Sequence, residues 1–584
     1  MSDQRNLVIA IVLSLVILLG SQWLFQPPPS EQPQQQVTGQ GGSSQTPGVG
    51  LPTAPTVPGG GSVPTVQDPT ASRIAALEKS PRLPIEAKRL QGTLSLRGGR
   101  LDDLVLRDYK ETIKPDSKPV TLLSPAGSPK PYYAFFGWAA VGDVKVPDTS
   151  TIWTADNDRL TMSRPLTLRW DNGEGVTFEK LISIDENFMI SVTQRVINNG
   201  DRPVSLHPYG SISRKDTPEI LDFYILHEGP IGVFNGTLKE LDYDELQEQP
   251  VRNVEGRGDW IGITDKYWLT ALVPDPQASF SGEFKYYNDE GRHLYQTNLL
   301  RDTPMQIAAG GAAETTMRLF AGAKEVQQLD RYQELYGITL FDHAVDFGWF
   351  DFLTKPLFYA LDFFFKWLGN FGLAIMALTV CIKLIFFPLA NKSYKAMSKM
   401  KTLQPKMMDL REKHGDDRQK LNQEMMELYK REKVNPAAGC LPILIQIPVF
   451  FCLYKVMFVT IEMRHQPFFG WIHDLAAPDP LSIFTLFGMI PWDTPGWLPV
   501  LGIWPILMGI SMYLQQLLNP QPADPMQAKI FLFMPLFFTF LLAAFPAGLV
   551  IYWTWNNILS VTQQWVIMKR MGAPIGRKAA TKTS

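Results

Sequence analysis

FGLAIMALTVCIKLIFFPLA (371–390), NKSYKAMSKMKTLQPKMMDLREKHGDDRQKLNQEMMELYKREKVNP (391–436) and AAGCLPILIQIPVFFCLY (437–454) follow one another without a gap. The order is apolar run, basic helical hairpin, apolar run. The first run is long enough to cross a bilayer, and its only formal charge is Lys383. A charge at membrane depth costs at least ~2.5–3.5 kcal/mol, so it faces protein or water and marks a function. Thr379 lies four residues before Lys383 and shares its helical face. Lys383 is also close to the inner end of the run. Its residues admit three readings: a wet, inward-open cavity, snorkelling to the interface, or a buried pair. No acid lies in the runs to make that pair.

The hairpin repeats Met400, Leu403, Met407, Leu410 and then Leu421, Met425, Leu428 at 3–4 spacing, two seams of a short antiparallel coiled coil. His414-Gly415-Asp416-Asp417 predicts the turn, with the Gly as left-handed stop and an Asp as the next N-cap, and Asn435-Pro436 ends the second helix. The methionines Met397, Met400, Met407, Met408, Met425 and Met426 exceed what one narrow seam needs. Either they form an adaptable surface for apolar partners or they pack the hairpin itself.

Outward from this block, the net charge of −2 over 584 residues hides a strong asymmetry. The hairpin is rich in Lys and Arg, and after Ile567 come Lys569, Arg570, Arg577, Lys578 and Lys582 with no acid. Both segments read as the inner side of a membrane under the positive-inside rule. Further apolar runs cover Leu498–Leu518, Ile530–Phe545 and Gly548–Ile567. The run Leu7–Phe25, preceded by Arg5, reads as an uncleaved anchor (residues 1–25). Counting from an inside N-terminus gives six spans with both termini inside. Polar side chains recur within the runs: Gln446, then Tyr552, Asn556, Asn557, Ser560, Gln563 and Gln564. At such depth they bond between helices or line a wet cavity.

Residues 26–79, rich in Pro, Gln, Gly and Ser, read as a disordered linker. Residues 80–340 read as one all-β domain. In ENFMISVTQRVI, Phe188, Ile190, Val192 and Val196 share a face. Asp171-Asn172-Gly173, Asn198-Asn199-Gly200 and Asn235-Gly236 mark turns. No nucleophile elbow, P-loop or metal-ligand spacing appears, and His207, His227 and His293 are scattered, so no catalytic residue, metal or cofactor is expected. The cysteines Cys381, Cys440 and Cys452 all lie in or beside the apolar runs, which leaves the β region without a disulfide framework. Residues 341–370 read as an amphipathic interfacial helix on the outer surface, with Trp349 and Trp367 at headgroup depth and with Asp362 and Lys366, at i, i+4, interrupting its apolar residues too much for a span. The fold class expected is therefore a polytopic α-helical membrane protein of six spans, with a large extracytoplasmic β-sandwich and a cytoplasmic helical hairpin.

The stretch MSKMKTLQPKMMDLREKHGDDRQKLNQEMMELYKREKVNPAAGCLPILIQIPVFFCLYKVM resembles the YidC family of membrane insertases, as do DPMQAKIFLFMP and FPAGLVIYWTWNNILSVTQQ. Asp259-Trp260 and Lys266-Tyr267-Trp268 resemble it within the β region. The likeness covers essentially the whole chain in the long Gram-negative arrangement. It implies an insertase and chaperone of the bacterial inner membrane, acting alone or with the Sec translocon and its accessory subunits. It implies a periplasmic β-super-sandwich resembling sugar mutarotases but without established catalysis. The five-span core would cover 371–570 and the basic cytoplasmic tail 571–584. It further implies a hydrophilic groove open to cytoplasm and lipid, lined by Lys383, Thr379, Gln446, Tyr552, Trp553 and Asn556. Many members carry Arg where Lys383 stands; the charge is kept but Arg's bidentate fork is not. The hairpin would meet the ribosome or signal-recognition targeting machinery. Nascent membrane proteins and the phospholipid bilayer are the implied partners, with no nucleotide. The rival classes are a transporter or channel with Lys383 as selectivity charge, and a β-domain enzyme merely anchored by its spans.

Overall fold

A computed structural model describes residues 69–220, 226–254, 256–289, 291–348, 350–414, 417–434, 441–490, 501–519 and 525–571. The anchor 1–25, the linker up to residue 68, Trp349, the turn residues Gly415 and Asp416, Asn435-Pro436, Cys440 and the tail beyond Met571 lie outside the described residues.

Two sheets build the β domain. The larger has eleven strands, and its central path runs Val251–Val254, Phe280–Asp289, Arg292–Arg301, Val204–Lys215, Tyr132–Val141, Arg100–Lys110, Leu90–Ser95, Arg82–Glu86, Leu160–Thr161. The second has nine, in the order Thr237–Glu240, Gly229–Phe234, Gly258–Thr264, Trp268–Val273, Ala312–Ala323, Met189–Asn198, Val176–Ile184, Leu166–Asp171, Thr154–Ala155. Among the described residues pairing is antiparallel except between Arg82–Glu86 and Leu160–Thr161. Strand Met189–Asn198 follows its two-residue period: Ile190, Val192 and Val196 point into the core while Arg195 faces out. Asn235 and Gly236, both at positive φ, form the two-residue turn joining Gly229–Phe234 to Thr237–Glu240, the geometry that Asn-Gly favours. The sheets close on one apolar core that includes Phe136, Trp138, Ile212 and Phe284 from one layer, with Phe178, Ile190, Leu272 and Leu319 from the other.

Eleven α-helices occur among the described residues: α1 (Pro69–Leu77), α2 (Tyr243–Glu248), α3 (Val326–Tyr336), α4 (Asp351–Leu368), α5 (Phe371–Ile385), α6 (Phe387–His414), α7 (Arg418–Arg431), α8 (Leu441–Val459), α9 (Ile503–Leu518), α10 (Pro525–Leu541) and α11 (Ala547–Arg570). Helix α4 buries Thr354, Phe358, Leu361 and Asp362 and leaves Phe352, Tyr359, Phe363 and Trp367 exposed along the other side. Its Lys355 bridges Asp330 (2.7 Å) and Asp342 (2.6 Å), and Asp362 takes both Lys366 (2.7 Å) and Gln327 Nε2 (2.6 Å). This helix is thus fastened to α3 of the β domain by polar contacts and offers an apolar stripe outward.

The run 371–390 does not form one helix. It breaks at Phe386, where α5 and α6 meet at 70°. Pro388 lacks an N–H and disfavours α conformation in the residue before it, so it suits the first turn of a new helix and not the interior of a continuing one. Among the described residues no single helix is long and apolar enough to cross a membrane; the bent pair α5–α6 has the length and composition to do so.

The β domain docks on the helical region through specific contacts. Glu462 accepts the Val326 N–H at the start of α3 (2.9 Å), Lys455 of α8 pairs with Asp346 (2.8 Å), and Arg464 donates to the Glu111 carbonyl (3.1 Å). Lys266 stacks over Phe458 of α8, and Arg464 lies over Tyr267 and Trp268. Burial raises the Glu462 carboxyl to about 8.

Candidate functional site

The polar residues of α11 fall at i, i+4, i+8: Tyr552, Asn556 and Ser560 form one stripe on that helix. All three are buried. Lys383 of α5 reaches this stripe and donates from Nζ to Ser560 Oγ at 2.6 Å. Ser560 in turn donates to the Asn556 carbonyl one turn back (2.8 Å). Tyr394, at the base of α6, packs beside Ile567 of α11. The Ser560 hydroxyl therefore joins α5 to α11. Among the described residues Lys383 has no carboxylate partner. It lines a cavity of about 650 Å³ shared with Val380, Asn391, Lys395, Thr562 and Gln563.

The other expected groove residues are divided. Thr379 is fully buried and donates to the Ile375 carbonyl of its own helix (2.6 Å), so its hydroxyl is satisfied locally. Gln446 is half-buried on α8. Trp553, one residue on, faces elsewhere: its ring lies edge-on to Phe450 (4.7 Å) and near Phe538 (6.2 Å) within an apolar cluster. Asn556 joins the Lys383 group only through its carbonyl. Lys383 alone of the six lines the cavity. Polar bonds also knit α11 to its neighbours: Trp555 Nε1 to the Met376 carbonyl (3.2 Å) and Asn557 Nδ2 to Ser511 Oγ (3.0 Å).

The hairpin methionines separate into three groups. Met397 is buried with Tyr394 and Ile567 where α6 leaves α11. Met407, with Met400 and Met425 beside it, packs the seam together with Leu403, Leu428 and Val434. Met408 and Met426 are the exposed pair, at 60% and 53%. Asp417 caps α7 by accepting from the Lys420 N–H (3.0 Å). Lys401 is 7% exposed and donates to the carbonyls of Leu517 (3.1 Å) and Leu518 (3.4 Å) at the C-terminal end of α9. Gln564 caps the same end through Leu518 O (3.1 Å). The hairpin base is therefore tied to α9 and α11.

Tyr394 and Lys401 were not among the residues expected to matter, and Ser560 was expected only as one of several polar groups of its run. The four-residue step from Tyr552 through Asn556 pointed to Ser560; nothing local pointed to Tyr394 or Lys401, whose partners lie on other helices.

A family profile described as 60Kd inner membrane protein matches residues 363–574, and one described as YidC periplasmic domain matches residues 82–360. The chain is 49% identical to the membrane protein insertase YidC of Methylorubrum extorquens, over 98% of this chain and 96% of that relative. It is 48% identical to that of Granulibacter bethesdensis, over 98% of this chain and 99% of that relative. Among solved structures, an active YidC insertase with its first transmembrane domain resolved covers 84% of this chain and 98% of its own, at 17% identity and a TM-score of 0.35. A galactose mutarotase-like protein from Lactobacillus casei covers 41% of this chain and all of its own, at 10% identity and a TM-score of 0.23.

Proposed function

The chain belongs to the YidC family of membrane protein insertases of the bacterial inner membrane, and from that premise we propose that it inserts nascent membrane proteins through a polar lane between α5 and α11, with Lys383 as the charge that draws the polar tail in. The observation that carries this reading is the Lys383 ammonium, which sits in an apolar helix, bonds a neutral hydroxyl and borders a cavity. A cation held by a neutral partner keeps its field for an incoming anion. The family is one of insertases and not of enzymes, and a transporter or channel is not favoured. The substrate's own apolar span supplies the driving force, roughly 25 cal/mol per Å² moved from water to lipid.

The proposed topology has six spans with both termini cytoplasmic, the β domain periplasmic and α4 lying on the outer surface. The hairpin faces the cytoplasm. Its exposed Met408 and Met426 and its charged flanks are the surface offered to the ribosome, the signal-recognition machinery or the Sec translocon.

Reconstitution tests the proposal. Purified protein in liposomes, given a single-span substrate with an acidic tail, is expected to protect that tail inside the vesicle. Ion conduction or sugar turnover without tail protection would remove the insertase lane.

A further inference from the structure

The cavity beside Lys383 extends well beyond that residue. It follows α11 through Leu559, Gln563, Val566 and Arg570, with Lys395 of α6 also on its wall. Those α11 positions recur every three or four residues and cover ~16 Å of one helical face. Three cations line the cavity, Lys383, Lys395 and Arg570, and among the described residues no Asp or Glu does. Lys395 and Arg570 are exposed at the end nearer the basic hairpin and tail. The Nε2 amide of Gln563 is buried there and, among the described residues, has no hydrogen-bond partner. An amide nitrogen only donates, so what is missing is an acceptor.

The remaining wall is apolar. Leu384 and Phe387 line it and are 65% and 47% exposed, and Val566 stands opposite at 36%. A small inorganic anion would satisfy the cations and the amide but leave these side chains uncovered. A ligand with anionic oxygens at one end and hydrocarbon at the other fits both parts.

We propose that this cavity holds the headgroup phosphate of an anionic phospholipid. Arg570 and Lys395 meet the phosphate oxygens, Gln563 Nε2 donates to another, and the acyl chains lie on Leu384, Phe387 and Val566. Arg presents a planar fork suited to phosphate, and basic pockets between helices on the cytoplasmic side attract anionic headgroups. The proposal rests on the orientation proposed above, in which this end of α11 meets the inner leaflet.

The test uses the full-length protein in phosphatidylcholine vesicles containing phosphatidylglycerol with a photoreactive acyl chain. Crosslinked peptides are mapped by mass spectrometry. Labelling is expected on the segments carrying Leu384–Phe387 and Val566. Unlabelled phosphatidylglycerol should compete, and phosphatidylcholine should not. The double variant Lys395→Gln, Arg570→Gln should lower labelling roughly tenfold, and Gln563→Leu should lower it about threefold. Lys413→Gln, an exposed lysine at the far end of α6 from the cavity, should leave labelling unchanged.

Equal labelling by a photoreactive phosphatidylcholine, or full labelling of the double variant, overturns the site. Competition by inorganic phosphate as effective as by lipid would make it a phosphate site and likewise overturns it. So would a double variant that keeps its lipid label but loses insertion of acidic-tailed substrates, since the cavity would then serve the peptide. Orientation is read independently by cysteine labelling of Met408→Cys, so a wrong topology and a missing lipid site give different results.

Discussion

Lys383 Nζ lies 2.6 Å from Ser560 Oγ, a bond across 177 residues between two apolar helices. It holds the ammonium against the polar stripe of α11 without neutralising it. If the charge acts by attraction, its sign matters more than its shape. Lys383→Arg is expected to retain most insertion of an acidic-tailed single-span substrate. Lys383→Glu should lose it by at least about tenfold, the effect of roughly 1.4 kcal/mol. Lys383→Ala should fall between them and lose least with a neutral tail. Equal insertion by Lys383→Glu and wild type for an acidic tail sinks the mechanism.

Topology follows from cysteine accessibility. Ser398 is only 3% exposed and would report burial, whereas Met408 is 60% exposed. In a background with Cys381, Cys440 and Cys452 changed to Ala, Met408→Cys should resist a membrane-impermeant maleimide in intact spheroplasts. It should react after lysis. Ser163→Cys, on an exposed loop of the β domain, should react at once. Outside labelling at Met408→Cys would reverse the proposed orientation.

The hairpin can be cut in two places with different results. Replacing residues 405–431 by a short Gly/Ser bridge keeps the Lys401 bonds to Leu517 and Leu518 and the packing of Tyr394 and Met397 on Ile567. Insertion should be lost while thermal stability in detergent stays within a few degrees of wild type. Replacing residues 395–432 removes Lys401 too. That variant should unfold at visibly lower temperature, because a buried charge-assisted cap of this kind contributes about 1.5–3 kcal/mol. Normal insertion after the shorter cut would make the hairpin a plain connector.

Lys180 gives the β domain a pH dependence. It is 2% exposed, hydrogen-bonds the Gly98 carbonyl (3.3 Å) and sits 4.5 Å from the Trp153 ring. Burial pulls its ammonium down to about 7. Above the unfolded value near 10.5 the residue is neutral in both states and costs nothing. As pH falls toward 7 the unfolded chain takes up the proton first, so stability declines across that window and levels off below it. Hydrogen exchange of Val176–Ile184 in the full-length protein should therefore slow, relative to intrinsic rates, between pH 7 and 10. Lys180→Met should remove that slope and gain on the order of a few kcal/mol at pH 7. An unchanged slope in Lys180→Met would place the effect elsewhere.

What was legible in the sequence is what depends on local period. Alternation located the core face of Met189–Asn198, Asn235-Gly236 located a turn, and the four-residue step located the Asp362–Lys366 pair. The Asp417 cap was local as well. The Lys383–Ser560 bond, the Lys401 cap on α9 and the Glu462 carboxyl at the start of α3 join residues more than a hundred positions apart. Such contacts depend on how elements stack, and no short-range pattern encodes them. Trp553 shows the converse: its position in a family-like motif suggested the groove, but one residue from Tyr552 is a turn of about 100° on a helix, and it faces Phe450 instead.

The break at Phe386 leaves α5 with 15 residues, about 22 Å at 1.5 Å per residue. A bilayer's hydrocarbon core is about 30 Å thick. Stood across the inner membrane in the proposed orientation, this helix alone is short by roughly 8 Å, so the first turns of α6 complete the crossing at a bend or the surrounding lipid thins toward it. Hydrophobic mismatch of this kind concentrates at the helix that carries Lys383, so the slab a passenger crosses is thinnest beside the charge that draws it in. Activity should accordingly track acyl-chain length, rising in short-chain bilayers and falling in thick ones.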